Sequence, residues 1–144
     1  MKTSVEENLR KLDEAMEALE AHDFDRVDRM NAESIVLRST GQPEPQKGRA
    51  AVREWNQAFA TAFPDLRFRK DRSFGHGDWV AEEGVFTGTH TGPLEGPGGR
   101  TIPATNKRVR VPLAAFVKIE GGEFTELAVY LDQMALLNQL GLNP

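Results

Sequence analysis

Two residues in this chain combine position and chemistry in a way that suggests proton transfer. Asp132 ends the apolar run Glu126–Leu131 and precedes the amphipathic segment Gln133–Leu140. His90 closes the run Trp79–His90, inside the segment Thr87–Gly92. A carboxylate can take up and return a proton, and desolvation lifts its pKa toward the neutral range where that is useful. An imidazole can orient or protonate a substrate oxygen. Each residue also has a plain structural use. An Asp ahead of an amphipathic segment caps a helix, worth about 1 kcal/mol, and capping favours the ionised form. A His at a strand end often only holds a loop. Glu82 and Glu83 are consecutive, so in a regular strand they point to opposite faces, and one can be internal. The three histidines show no metal-ligand spacing and cysteine is absent, so neither a metal nor a cofactor is expected.

The elements that must position these groups follow from periodicity. Val5, Leu9, Leu12, Met16 and Leu19 form a one-sided helical stripe, with Thr3 and Glu6 at capping-box spacing. Asp23 is placed to cap a short second helix with Phe24, Val27 and Met30 inward. Ile35–Leu37 suggests a strand. A third helix, about Arg49–Phe63, carries Val52, Trp55, Phe59 and Phe63 on one side and stops at Pro64. Four strands are then expected at roughly Leu66–Phe74, Trp79–His90, Arg108–Ile119 and Glu123–Asp132. Helices first and antiparallel strands afterwards predict an α+β fold within one domain spanning residues 1–144.

Gly121–Gly122 between two apolar strands is a two-residue hairpin signal, since both turn positions need positive φ. Pairing Glu120 with Glu123 would set Val117 opposite Glu126, Ala115 opposite Ala128, Leu113 opposite Tyr130, and Val111 opposite Asp132. Paired residues share a face. Asp132 would then join Val111, Leu113 and Tyr130 on the more apolar face, leaving Phe116, Leu127, Val129 and Leu131 on the other. A one-residue slip would reverse this. His90 shares its face with Phe86 and Glu82. The helical stripe Trp55, Phe59 and Phe63 is either core or the wall of a pocket.

Composition excludes several classes. With 144 residues, 39% hydrophobic and 28% charged, the chain reads as a soluble globular protein. No apolar run approaches the roughly 18 residues of a membrane span, and the charged segment Met1–Arg10 does not resemble a signal peptide. A formal charge of -4 argues against a nucleic-acid surface. A cytoplasmic setting is expected from the lack of cysteine.

The segments GRAAVREWNQAFATAFPDL, VAEEGVFTGTHTG and YLDQMALLNQLGL, taken in order, resemble the SnoaL-like polyketide cyclases of the NTF2-like superfamily. The resemblance runs from about Gly48 to Leu142. It implies a cone in which N-terminal helices lie on a strongly curved, mostly antiparallel sheet around an apolar cavity. It further implies cofactor-free intramolecular aldol ring closure of a polyketide ester, with an acid/base aspartate that aligns with Asp132. On this expectation Asp132 and His90 are catalytic. Trp55, Phe59, Phe63, Phe86, Val111, Leu113 and Tyr130 line the site of a small, apolar, oxygenated substrate. A homodimer is expected through the remaining apolar sheet face. Two alternatives use the same cavity: a non-catalytic binding module, and a hydrolase or isomerase in which Glu82 or Glu83 joins Asp132. Arg38 stands where the related ketosteroid isomerases carry a general base, which disfavours the isomerase reaction.

Overall fold

The first helical stripe becomes α1 (Val5–Glu20), whose buried residues include Leu12, Ala15 and Ala18. These are facts of a computed structural model, which describes residues 4–96 and 99–142. Thr3 lies outside the described residues. The N-cap is Ser4, whose hydroxyl accepts from the Glu7 N–H at 3.1 Å. Asp23 caps α2 (Phe24–Met30) as expected, accepting from the Arg26 N–H. The chain continues through β1 (Asn31–Ser39), β2 (Gln46–Lys47), α3 (Arg49–Ala62), β3 (Arg67–His76) and β4 (Trp79–Thr89). A small hairpin of β5 (Leu94–Glu95) and β6 (Thr101–Ile102) precedes β7 (Arg108–Glu120), β8 (Glu123–Leu131) and α4 (Gln133–Gln139). None of the described helices is long and apolar enough to cross a membrane.

The main sheet has the order β2-β1-β8-β7-β4-β3. Only β1 and β8 run parallel; the other neighbours are antiparallel. Register breaks in β1, β3 and β8 bend the strands, which is how a sheet curves around a filling. The helices fill the concave side, and two apolar clusters form there. One gathers Leu12, Ile35, Leu37, Val52, Val117 and Ile119. The other gathers Phe63, Phe86, Val109, Val111, Leu136 and Leu140. Between them the interior is not filled.

The β7–β8 hairpin turns at Gly121 and Gly122, both at positive φ, as the dipeptide requires. Its register differs from expectation. Glu120 pairs with Glu123 and Ile119 with Phe124, but Lys118 then pairs with Glu126, so Thr125 is an extra residue. The Thr125 hydroxyl anchors this bulge by donating to the Lys118 carbonyl and to Glu120. Every later pair moves by one: Val117 meets Leu127, Ala115 meets Val129, and Leu113 meets Leu131. Leu127, Val129 and Leu131 therefore face inward. Ala128 and Tyr130 face outward with Phe116, and Asp132 leaves the inner face.

Candidate active site

The gap between the two core clusters is a chamber of about 80 Å³. Met16 and Leu19 of α1, Trp55 and Phe59 of α3, Phe68 of β3, and Leu113, Leu127, Val129 and Leu131 of the sheet enclose it. Trp55 and Phe59, both in the lining, stack with centroids 5.9 Å apart and planes 15° apart. At one end, Met16, Phe68 and Leu113 are shared with a polar pocket of about 230 Å³ into which Asp13, Lys70 and Glu82 bring their charged groups. At the other end, Ser39, Trp55, Phe59 and Leu131 are shared with a cleft of about 280 Å³ beneath the β5–β6 hairpin.

Glu82 is the group in this space best suited to proton transfer. It pairs with Ala115 on β7 and Ser73 on β3, and so points to the concave side. The small side chain of Ala115, itself buried, leaves room beside the carboxyl group. Glu82 is 8% exposed. Among the described residues it makes no hydrogen bond or ion pair. Burial lifts its pKa from 4.5 to about 7, the nearby Asp13 adds to the rise, and Lys70 opposes it. Lys70 is held by Asp13 at 3.0 Å, so most of its charge is already answered. A carboxyl group poised near neutrality can accept and return a proton with little driving-force penalty. Its neighbour Glu83 faces the other side and binds Arg72 at 3.0 Å.

A second polar group enters the chamber. Asn56 is 7% exposed and lines it from α3. It goes unremarked in the sequence, yet Val52, Asn56 and Ala60 lie four residues apart on the buried face of one helix. That spacing was the available signal.

The remaining expectations divide. Trp55, Phe59 and Leu113 line the chamber. Phe63, Phe86 and Val111 are fully buried one layer behind it; Phe86, for instance, meets Phe59 at 4.8 Å. Tyr130 is 55% exposed on the convex face, edge-on to Phe116 at 5.9 Å, because the Thr125 bulge turns it outward. His90 is fully buried beside Phe63 and borders none of these cavities. Its Nδ1 accepts from the Thr105 N–H at 3.2 Å and lies 3.0 Å from the Thr105 hydroxyl. Burial lowers its pKa while the Gly92 backbone acts the other way. These contacts pin the strand end to the loop before β7, away from the chamber in which a catalytic His90 was expected.

Asp132, the other residue expected to be catalytic, also lies outside the chamber lining. It is exposed, its N–H donates to the Pro112 carbonyl, and its carboxylate accepts from the Ala135 N–H at 3.0 Å. This is the N-cap of α4. Asp132→Asn should leave stability within about 0.5 kcal/mol, because Asn caps as well as Asp, whereas Asp132→Ala should cost about 1 kcal/mol. Urea titration of the two variants measures this. A destabilised Asn variant would show that the carboxylate does more than cap. Among the described residues no cluster of three His, Cys, Asp or Glu is arranged to hold a metal.

A family model described as SnoaL-like polyketide cyclase matches residues 10–140. The chain belongs to this family. Solved structures agree in fold. A candidate SnoaL-like polyketide cyclase from Jannaschia sp. CCS1 superposes with a TM-score of 0.85 at 18% identity, covering 100% of this chain and 99% of that one. AclR, a candidate hydroxylase from Streptomyces galilaeus, gives 0.83 at 23% identity over 98% and 100%. An LEH-like epoxide hydrolase from M. tuberculosis gives 0.72 at 18% identity over 94% and 90%. No curated protein matches the sequence significantly. This SnoaL-like chain thus has the NTF2-like architecture expected of it, helices packed on a curved, mostly antiparallel sheet. Its neighbours carry different reaction names, so the chemistry must be argued from its own cavity.

Proposed function

We propose that this SnoaL-like protein is a cofactor-free acid/base enzyme acting on a small, flat, apolar molecule that carries carbonyl oxygens. The observation that carries the reading is Glu82, a buried carboxyl group without a protein partner, in the polar pocket that adjoins an aromatic-walled chamber at Met16, Phe68 and Leu113. The proton-transfer role first expected of Asp132 passes to Glu82. In its ionised form Glu82 takes the α-proton of a ketone or ester. The resulting enolate carbon attacks a second carbonyl of the same molecule, one carbon–carbon bond forms, and the alkoxide left on the attacked carbonyl recovers the proton from Glu82. The walls hold the two carbons near each other, which replaces an entropic barrier with binding.

The first half of this chemistry can be tested without the natural substrate. In D2O the protein should speed deuterium uptake at the α-carbons of 2-tetralone, read by proton NMR, with a rate that climbs with pH through about 7 as Glu82 ionises. No acceleration over buffer across a panel of such flat ketones would count against the proposal. A hydrolytic variant is favoured by one feature, the second carboxylate of Asp13 at the same pocket. Solvent oxygen labelled with 18O would enter the product only in that case.

Assembly is proposed as a homodimer through the sheet face that carries Phe116, as expected, but with different residues from β8. Leu127, Val129 and Leu131 point into the chamber, so the convex face relies on Phe116, 43% exposed, and Tyr130. Aromatic pairs left in water favour association. Sedimentation equilibrium should show a dimer that Phe116→Asp dissociates. A wild-type monomer at 100 μM-order concentration, a range reached by typical weak homodimers, would remove the dimer.

A further inference from the structure

We infer that Asn56 is the polar anchor of the chamber, donating a hydrogen bond from its side-chain amide to an uncharged carbonyl oxygen of the ligand. Position 56 is one the helix would ordinarily fill with an apolar residue. It lies between Val52 and Ala60 on the buried face of α3, and both of those neighbours are buried aliphatics. The Asn56 amide has no hydrogen-bond partner among the described residues, although it is 7% exposed. The Asn56 polar atoms are not among the fully sealed unpaired ones, so they stay reachable from the chamber, and an amide set among apolar side chains is costly until it finds a partner. Here the amide borders empty space, so a ligand can supply the missing partner.

The surroundings fix the class of ligand. Apart from Asn56, the only polar residue lining the chamber is Ser39; no charged residue lines it among the described residues. An ionised ligand group would find no counter-charge there and would lose its hydration. A neutral oxygen on an apolar skeleton loses little and gains the amide. The skeleton would lie against the stacked rings of Trp55 and Phe59. An Asn amide can donate or accept. The choice of a carbonyl, which requires the donor, rests on the enolate chemistry proposed for Glu82.

The experiment compares acetophenone with cumene, two probes of nearly one shape that differ in the carbonyl. Binding to wild-type protein and to Asn56→Leu is followed by NMR titration, with Asn56→Ala as the second variant. The ketone should shift the Asn56 side-chain amide resonance, and cumene should not. In Asn56→Leu the ketone-to-hydrocarbon affinity ratio should fall roughly three- to tenfold, the worth of one hydrogen bond. The variant should also melt no lower than wild type, since a merely structural Asn would leave it destabilised. An unchanged ratio in the folded variant overturns the inference, as does failure of wild-type protein to bind either probe. Should Asn56→Leu not fold, the ratio in Asn56→Ala decides. Turnover plays no part in this readout. Ketone selection without deuterium exchange would remove Glu82 from the chemistry and leave Asn56 in place; exchange without selection would do the reverse.

Discussion

Glutamine at position 82 should cut α-proton exchange by about 10²–10⁴-fold, the usual worth of a positioned general base, while making the protein more stable at pH 8. The two effects have one cause. Burial disfavours the charged form of Glu82 and raises its pKa from 4.5 to about 7. The folded chain therefore holds this proton up to about pH 7, whereas the unfolded chain releases it near the usual value. Between those two pH values the folded state binds more protons, so stability falls as pH rises. Above about pH 7 both states are ionised and the deficit stays constant. Its size is roughly 3 kcal/mol by the equivalence of pKa and free energy. Glutamine carries no charge at any pH and should recover that amount at pH 8, with little change at pH 4. Chemical denaturation of wild type and Glu82→Gln at both pH values tests this. Equal stabilities at pH 8 would mean that the buried carboxylate is well solvated, and the argument for its catalytic pKa would fail with it. Gain of stability with loss of exchange is the mark of a site maintained at a cost to the fold.

How much of this was legible in the sequence depends on what each feature requires. The helices and strands depend on local periodicity, and α3 begins at Arg49 and ends before Pro64 as the pattern demands. The Asp23 cap is equally local. Asp132 was legible as a cap for the same reason; its supposed place in the cavity depended on a register carried over ten residues. Glu82 could be narrowed to one of two adjacent acids by alternation, but its inward direction is set by pairing with β7. The unfilled chamber could not be read at all. It arises because two core clusters, both of which include residues of α3, leave a gap between them, a packing outcome no period encodes. The surroundings of His90 are hidden for a related reason. Its position at a strand end is visible, whereas the Thr105 partner that occupies Nδ1 comes from a loop fifteen residues away.

The Thr125 bulge decides which residues face the chamber, and aspartate at positions 127 and 128 reports on it directly. With the bulge, Leu127 pairs with the fully buried Val117 and lines the chamber, while Ala128 pairs with the exposed Phe116 on the convex face. A carboxylate at 127 would enter an apolar enclosure without a partner and should cost about 3 kcal/mol or more. At 128 the same carboxylate meets water, and β1 places Arg38 alongside in the parallel register. Ala128→Asp should thus stay within about 0.5 kcal/mol of wild type, provided stability is measured on dilute monomer so that dimer dissociation does not enter. A regular hairpin from Gly121–Gly122 reverses the order, because Ala128 would then face inward opposite Ala115. The comparison needs no ligand and no assay, only two denaturation curves. A greater loss from Ala128→Asp than from Leu127→Asp would return Tyr130 and Asp132 to the inner face. It would also make Asp132 the candidate base again, since its place outside the chamber stands on one extra residue in β8.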